Sequence, residues 1–217
     1  TRPLEVLKQI PEVITASVND AELWDSLFSA VAVGPGLLPD ASTAELIMRL
    51  KRLECPVVLD AGAIQACVEH DLFPLPAHWV ITPHSGELAR VLKIHAQEIE
   101  KNRFAAALLA AQKVGCHVLL KGYRSLIAHG ERCLIIGAGN SALAKAGTGD
   151  VLTGLIGAFL AQGLDTPQAA ATAAYLHGRL ADEWVRTGHD KSSLTASDLK
   201  EILPQIVARL RLGGGLM

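Results

Sequence analysis

Residues 137–154 read GAGNSALAKAGTGDVLTG, and the fold can be inferred from how this stretch changes character along its length. It opens on small residues and the polar Asn140 and reaches a Gly-Thr-Gly-Asp core at Gly147, Thr148, Gly149 and Asp150. It then places Val151, Leu152, Leu155, Ile156, Phe159 and Leu160 at helical spacing. A glycine loop therefore feeds a helix. Glycines let the backbone turn with its amides aimed into one small volume, and the first helical turn adds free N–H groups and the positive end of the dipole. The pattern predicts an anion site. A carboxylate in the same turn repels phosphate, so Asp150 makes sense there only if it acts on a neighbouring hydroxyl. A base beside an anion hole is what deprotonates an alcohol while a phosphoryl group moves to it. The competing reading is that Thr148 or Asp150 simply caps a core helix. The loop is longer and richer in glycine than capping requires, which favours the site.

Upstream of this stretch, buried strands alternate with helices. Residues 30–33 are a continuous apolar run stopped by Gly34-Pro35-Gly36, as in a parallel strand that ends in a tight loop. Ser42-x-x-Glu45 reads as a capping box for a helix striped with Leu46, Ile47, Leu50 and Leu53, and residues 56–59 read as a second strand with Asp60 at its carboxyl end. Together they make a βαβ unit. A helix over 63–69, a strand over 79–82 and a loop from Pro83 to Glu87 come next, leading into a helix through Leu88, Val91 and Leu92. Then come an alanine-rich helix over 102–114 and a strand over 118–120 that ends at Lys121-Gly122. Residues 126–128 and 132–135 read as short antiparallel strands about His129-Gly130.

Beyond the glycine loop the pattern predicts helices over 151–162, from Thr166 or Pro167 to about 186, and over 195–211. Thr166 reads as a cap with proline at the first helical position, and Thr195-x-x-Asp198 as a capping box. Residues 21–28 suggest a short amphipathic helix and residues 213–215 a frayed tail. One α/β domain over residues 1–217 is expected, a mostly parallel sheet with helices on both faces.

Composition agrees with this. Half of the 217 residues are hydrophobic but only 4% are aromatic, so the core is Ala, Leu, Val and Ile, suited to helices lying close on a parallel sheet. A net charge of −2 with no basic run argues against nucleic acid or anionic membrane as a partner. Residues 104–111, the longest wholly apolar stretch, fall well short of the ~20 residues a membrane span needs, and no signal peptide opens the chain. A cytoplasmic location is expected. Cys55, Cys67, Cys116 and Cys133 form no C-x-x-C pair and read as reduced, mostly buried apolar residues.

Ligands of an open parallel sheet collect beyond the carboxyl ends of its strands. Five segments converge there: Gly34-Pro35-Gly36, Asp60, residues 82–87, Lys121-Gly122 and the glycine loop. Each also has a plainer reading. Gly36 sits in what is otherwise a turn, and Asp60 either contacts substrate or accepts strand-end amides. His84, with Pro83 and Gly86 shaping its backbone, is a ligand contact or a surface histidine. Glu87 is a first-turn carboxylate favoured by the helix dipole or part of a magnesium shell. Lys121 is a phosphate-binding charge or a solvated one. His177 and the remaining histidines carry no partner pattern and read as structural.

Taken together, Gly34-Pro35-Gly36-Leu37, Val58-Leu59-Asp60-Ala61, Thr82-Pro83-His84-Ser85-Gly86-Glu87, Lys121-Gly122 and residues 140–154 resemble the ADP- or ATP-dependent NAD(P)H-hydrate dehydratases of the ribokinase-like superfamily. The match in order and spacing runs over about residues 30–203. GTGD alone would point only to the superfamily; its combination with the TPHSGE loop is specific. The resemblance implies a ribokinase-like three-layer α/β/α fold and a repair enzyme. Hydrated NADH or NADPH, as its S epimer, would be phosphorylated on the added hydroxyl and lose phosphate to restore the dihydronicotinamide. By matching position it implies Asp150 as the base and Gly147, Thr148 and Gly149 as the anion hole. Gly36 and His84 would contact the hydrated dinucleotide. Lys121, Gly122, Tyr123, Arg124 and Ser125, with Gly149 and Asn140, would surround ADP or ATP, whose phosphates carry Mg2+. Glu87 is the candidate metal ligand. A homo-oligomer is expected, and in many bacteria an epimerase domain precedes such a domain on the same chain.

The chain departs from the family pattern in four respects. Ser85 stands where proline is usual, Gly62 where a second acid is usual, and Ala146 where glycine is usual; the added methyl is expected to limit positive φ and tighten the loop. The family's first part, with a glycine- and alanine-rich helix that helps hold the hydrate, has no counterpart ahead of Thr1, so an N-terminally truncated domain is expected. Two other functions use the same residues differently. A kinase of a small alcohol or vitamin precursor would leave a stable phosphate ester, and a noncatalytic nucleotide-binding module would be indifferent to Asp150.

Overall fold

The structure is a computed structural model that describes residues 14, 16–19, 24 and 28–212. The predicted helix over 21–28 and the tail at 213–215 lie mostly or wholly outside the described residues. Among the described residues six strands form one sheet in chain order: β1 (Val31–Val33), β2 (Val57–Leu59), β3 (Val80–Ile81), β4 (His117–Leu120), β5 (Leu126–His129) and β6 (Arg132–Ile135). The first four are parallel, with Val31 opposite Val57, Val58 opposite Val80 and Val80 opposite His117. The last two run antiparallel, as predicted from the His129-Gly130 turn.

Side-chain alternation along the strands divides the core in two. Val57, Leu59, Ile81, Val118 and Leu120 face a layer built from α1 (Ala41–Leu50), α2 (Ala61–Glu69), α3 (Ser85–Leu92), α4 (Ala96–Lys101) and α5 (Arg103–Val114). Val58, Val80, Leu119 and Ile127 face α6 (Thr148–Ala161) and α7 (Thr166–Arg186). The alanines 169, 170 and 173 of α7 are buried there, letting the helix lie close to the sheet. Leu176, Leu180 and Ala181 of α7 pack against Leu199 and Ile206 of α8 (Ala196–Arg211). The expected three-layer α/β/α architecture is therefore present, with α8 outside the layer that α6 and α7 form.

Helix starts are where the sequence reading needs correction. The cap of α1 is Asp40, whose side chain accepts from the Thr43 amide, and not the predicted Ser42 box. Asp165 caps α7, while Thr166 is its first residue and donates its hydroxyl to the His78 carbonyl. In each case an aspartate just upstream competes successfully for the same amides. Thr195 and Asp198 do form the predicted reciprocal box on α8. The short helix α4 had no clear signal in the sequence. All four cysteines are free, with Cys67 and Cys116 buried and Cys55 and Cys133 half-buried.

Candidate active site

Because β1 to β4 are parallel, their carboxyl ends lie on one edge of the sheet, and the loops leaving them meet α6 there. Asp60 comes directly after β2 and is 1% exposed. Its Oδ1 accepts from the Lys121 ammonium at 2.7 Å and from the Ala61 amide, and its Oδ2 accepts from the Thr153 hydroxyl at 2.8 Å. This carboxylate thus ties together the ends of β2 and β4 and the body of α6. It is a buried tether, both oxygens being engaged inside the protein. Ala61 beside it has φ of 46°, a conformation unfavourable for a residue with a Cβ and held by these surroundings.

The loop after β1 is pressed onto the same segment. A Cβ at Gly34 would lie 1.7 Å from the Asp60 carbonyl, and one at Gly62 would lie 2.0 Å from the Leu37 carbonyl. Gly62, which departs from the family pattern, is therefore a place where backbone meets backbone and no side chain fits. Gly36 is exposed at φ of 75°, and among the described residues nothing would lie within 4 Å of a Cβ there.

After β3, His84 caps α3. Its Nδ1 accepts from the amides of Gly86 and Glu87, so in the neutral ring Nε2 carries the proton. His84 also lines the central cavity, so capping orients this side chain toward it without burying it. Glu87 completes the capping box by accepting from the His84 amide, and it lies 4.0 Å from the Lys121 ammonium. Both Asp60 oxygens are engaged in its tether, whereas the Glu87 cap engages one carboxylate oxygen, Oε2. Among the described residues no group of three or more His, Cys, Asp or Glu converges to hold one.

A cavity of about 590 Å³ lies between the β4 loop and α7. Its walls are Lys121 to Ser125, residues 138–145 except Ala142, Thr148, Gly149 and Leu152, and Ala174, His177 and Gly178 of α7. The adenine-nucleotide residues expected from the sequence, Lys121, Gly122, Tyr123, Arg124, Ser125, Asn140 and Gly149, all line it. Asn140 does so mainly as scaffold: its side chain accepts from the Ala142 amide and donates to the Ala181 carbonyl and to Asp182. Asp182 also accepts from the Gly139 amide, which pins this wall to α7.

The glycine loop meets the cavity at the start of α6. Gly147 occupies the cap position at φ of 84° with no side-chain cap, and helical residues begin at Thr148. Thr148 is buried and turns its hydroxyl back to the Leu143 and Lys145 carbonyls, so it holds the loop and its backbone is what faces the site. Among the described residues, the first amides of α6 have no intrahelical or capping partners. A Cβ at Gly149 would lie 3.4 Å from the Lys121 ammonium, so the cation sits beside this open turn. Asp150 is exposed, and among the described residues no hydrogen bond or ion pair holds its carboxylate. Ala146 does not have positive φ; the left-handed position belongs to Gly147, so the extra methyl imposes none of the expected backbone constraint.

His177, read from sequence as structural, lies on the cavity wall with Nε2 buried and unpartnered among the described residues. Burial, with the Lys121 charge acting in the same direction, lowers its pKa to about 4. Thr153, Asp182 and Arg103 were also not foreseen, since each acts through a partner far away in sequence.

This geometry matches known proteins. The model of the NAD(P)H-hydrate dehydratase family matches residues 3–205. The chain belongs to the NAD(P)H-hydrate dehydratase family. It is 36% identical over 200 residues to a bifunctional NAD(P)H-hydrate repair enzyme of Vibrio cholerae, an alignment covering 91% of this chain and 40% of that protein. The chain thus spans well under half of that relative. A crystal structure of the ADP/ATP-dependent NAD(P)H-hydrate dehydratase from Bacillus subtilis, co-crystallised with ATP and Mg2+, superposes with a TM-score of 0.76 at 35% identity. It covers 85% of this chain and 66% of that one. A ribokinase-like superfamily protein of Enterococcus faecalis superposes with a TM-score of 0.71 at 27% identity, covering 83% and 63%. The fold is accordingly that of the ribokinase-like dehydratases. No helix among the described residues is long and apolar enough to cross a membrane.

Proposed function

We propose that this chain dehydrates hydrated NADH or NADPH with consumption of ADP or ATP, with Asp150 as the base. The observation that carries the reading is the start of α6, where, among the described residues, the exposed Asp150 has no partner, the first amides have no side-chain cap, and the Lys121 ammonium stands beside Gly149. The nucleotide lies in the 590 Å³ cavity along Lys121 to Ser125, with its terminal phosphate at the amides of Thr148, Gly149 and Asp150. Lys121, aimed by Asp60 and Glu87, balances the charge that grows on the transferring group. His84, which lines the same cavity, and Gly36 hold the hydrated dinucleotide.

Asp150 takes the proton of the added hydroxyl as its oxygen bonds to the terminal phosphorus, and AMP or ADP leaves. The carbon–oxygen bond then breaks with phosphate as leaving group, and loss of a proton from the adjacent ring carbon restores the double bond. Magnesium would come with the nucleotide phosphates and neutralise part of their charge. The four free thiols support a reducing compartment, the cytoplasm. We also infer a homo-oligomer, and an epimerase domain on the same polypeptide; the Vibrio cholerae relative is named bifunctional and this chain covers 40% of it.

The test is to mix hydrated NADPH with the chain, magnesium and either nucleotide. Reduced-nicotinamide absorbance should return with free phosphate released in step. A stable phosphate ester of an added alcohol, without that absorbance, would make the chain a kinase. Nucleotide binding with no turnover in any combination would make it a binding module.

A further inference from the structure

Arg103 is the first residue of α5, yet its guanidinium turns away from that helix toward the site. Nη1 donates to the Ser85 hydroxyl at 3.2 Å and to Glu100 Oε1 at 3.0 Å. Nη2 donates to the carbonyls of Leu120 at 3.4 Å and Lys121 at 3.2 Å. The side chain is 17% exposed. Gly122 rests directly on it: at φ of 144°, a Cβ there would lie 2.7 Å from Nη2. One planar group therefore touches the loop after β3, the last carbonyl of β4 and the first carbonyl beyond it.

Those carbonyls stand at the point where a strand turns into a binding wall. Past Leu120 the chain stops pairing in the sheet and lines the cavity, and the peptide orientation there decides where the Lys121 ammonium and the amides of residues 122–125 face. We propose that Arg103 is a positioning residue for the nucleotide side of the site, holding the Leu120 and Lys121 carbonyls so that Lys121 and the loop after it face the cavity. Ser85 and Glu100 fix the guanidinium in turn. Ser85 donates to Glu100 while accepting from Arg103, two roles that proline in its place would not fill. A lysine at 103 would supply one compact charge in place of a fork that spans two carbonyls and two side-chain acceptors. This inference rests on reading the cavity as the adenine-nucleotide site.

The experiment is calorimetric titration of ADP, and separately of hydrated NADPH, into the chain, Arg103→Lys and Ser85→Ala. Losing a hydrogen bond to a charged group is worth about tenfold or more in binding, so Arg103→Lys should weaken ADP by about that factor. Ser85→Ala removes only one supporting contact and should weaken ADP about two- to fourfold. Hydrated NADPH should stay within about threefold in both variants, because His84 and Glu87 hold their own loop through the α3 cap. A general structural role would weaken both ligands together, and that result would overturn the proposal. So would unchanged ADP affinity in Arg103→Lys or, if that variant fails to fold, in Ser85→Ala. Turnover is not part of the readout. ADP bound by the parent chain but equally by the variants defeats the positioning role alone, whereas no ADP binding by the parent chain defeats the nucleotide-site reading itself.

Discussion

The third residue of α6 and the third residue of α8 are both aspartates, and they have opposite fates. At α8, Thr195 caps the helix and Asp198 folds back to accept from the Thr195 amide and hydroxyl, so both are consumed by their own helix. At α6 the cap is Gly147, which has no side chain to offer, and Asp150 is left exposed without a partner among the described residues. Helix α3 behaves like α8, with Glu87 taken up by the cap that His84 begins. An acid at this position is ordinarily absorbed by the reciprocal box. A glycine at the cap leaves the amides and the carboxylate available to something else, and left-handed φ at Gly147 makes glycine the residue the position accepts most easily.

The contrast between these helix starts is most exposed to test at the two aspartates. Asp150→Asn should lower the dehydration rate at least ~100-fold while ADP still binds, measured by absorbance and by titration. Asp198→Asn should leave the rate unchanged and cost about 1 kcal/mol of stability, read from denaturant unfolding. Next in size, Gly147→Ala forces a Cβ into left-handed backbone and 3.1 Å from the Ala196 Cβ. It should weaken ADP by about tenfold and cost about 1–2 kcal/mol. Thr195→Ala should lower stability by about 1 kcal/mol with nucleotide affinity untouched.

The smallest effect concerns His177 and is seen through pH. Its folded pKa, near 4, lies below the unfolded value of 6.5. The unfolded chain therefore binds the extra proton first as pH falls. The stabilising contribution is complete above about 6.5 and is lost progressively between there and 4. His177→Gln should flatten the decline of melting temperature over that window. An unchanged slope would mean the imidazole is not held neutral by the wall.

Much of the architecture is legible in the sequence alone. Short apolar runs and their punctuating glycines locate the six strands of the described residues, and the glycine loop marks the helix start whose cap is a left-handed glycine. Caps are less legible, because Asp40 and Ser42, or Asp165 and Thr166, are chemically equivalent until the chain's direction into the helix is known. The tether from Asp60 to Lys121 and Thr153 is hidden for a different reason. Its partners lie 61 and 93 residues away, and only the sheet order brings them together. Arg103 and His177 sit in ordinary helical patterns; His177 gains its role from the cavity wall that α7 forms, and Arg103 from the Leu120 and Lys121 carbonyls that it reaches across the sequence.

If α6 differs from α8 as described, α6 and not α8 begins with amides free to receive phosphate, and an amide-resolved NMR titration with ADP reads this at each residue. The signals of Thr148, Gly149 and Asp150 should move in a saturable way while those of Ala196, Ser197 and Asp198 stay in place. Stationary signals at 148–150 under saturating ADP, or equal movement at both helix starts, would contradict the assignment of the phosphate to α6.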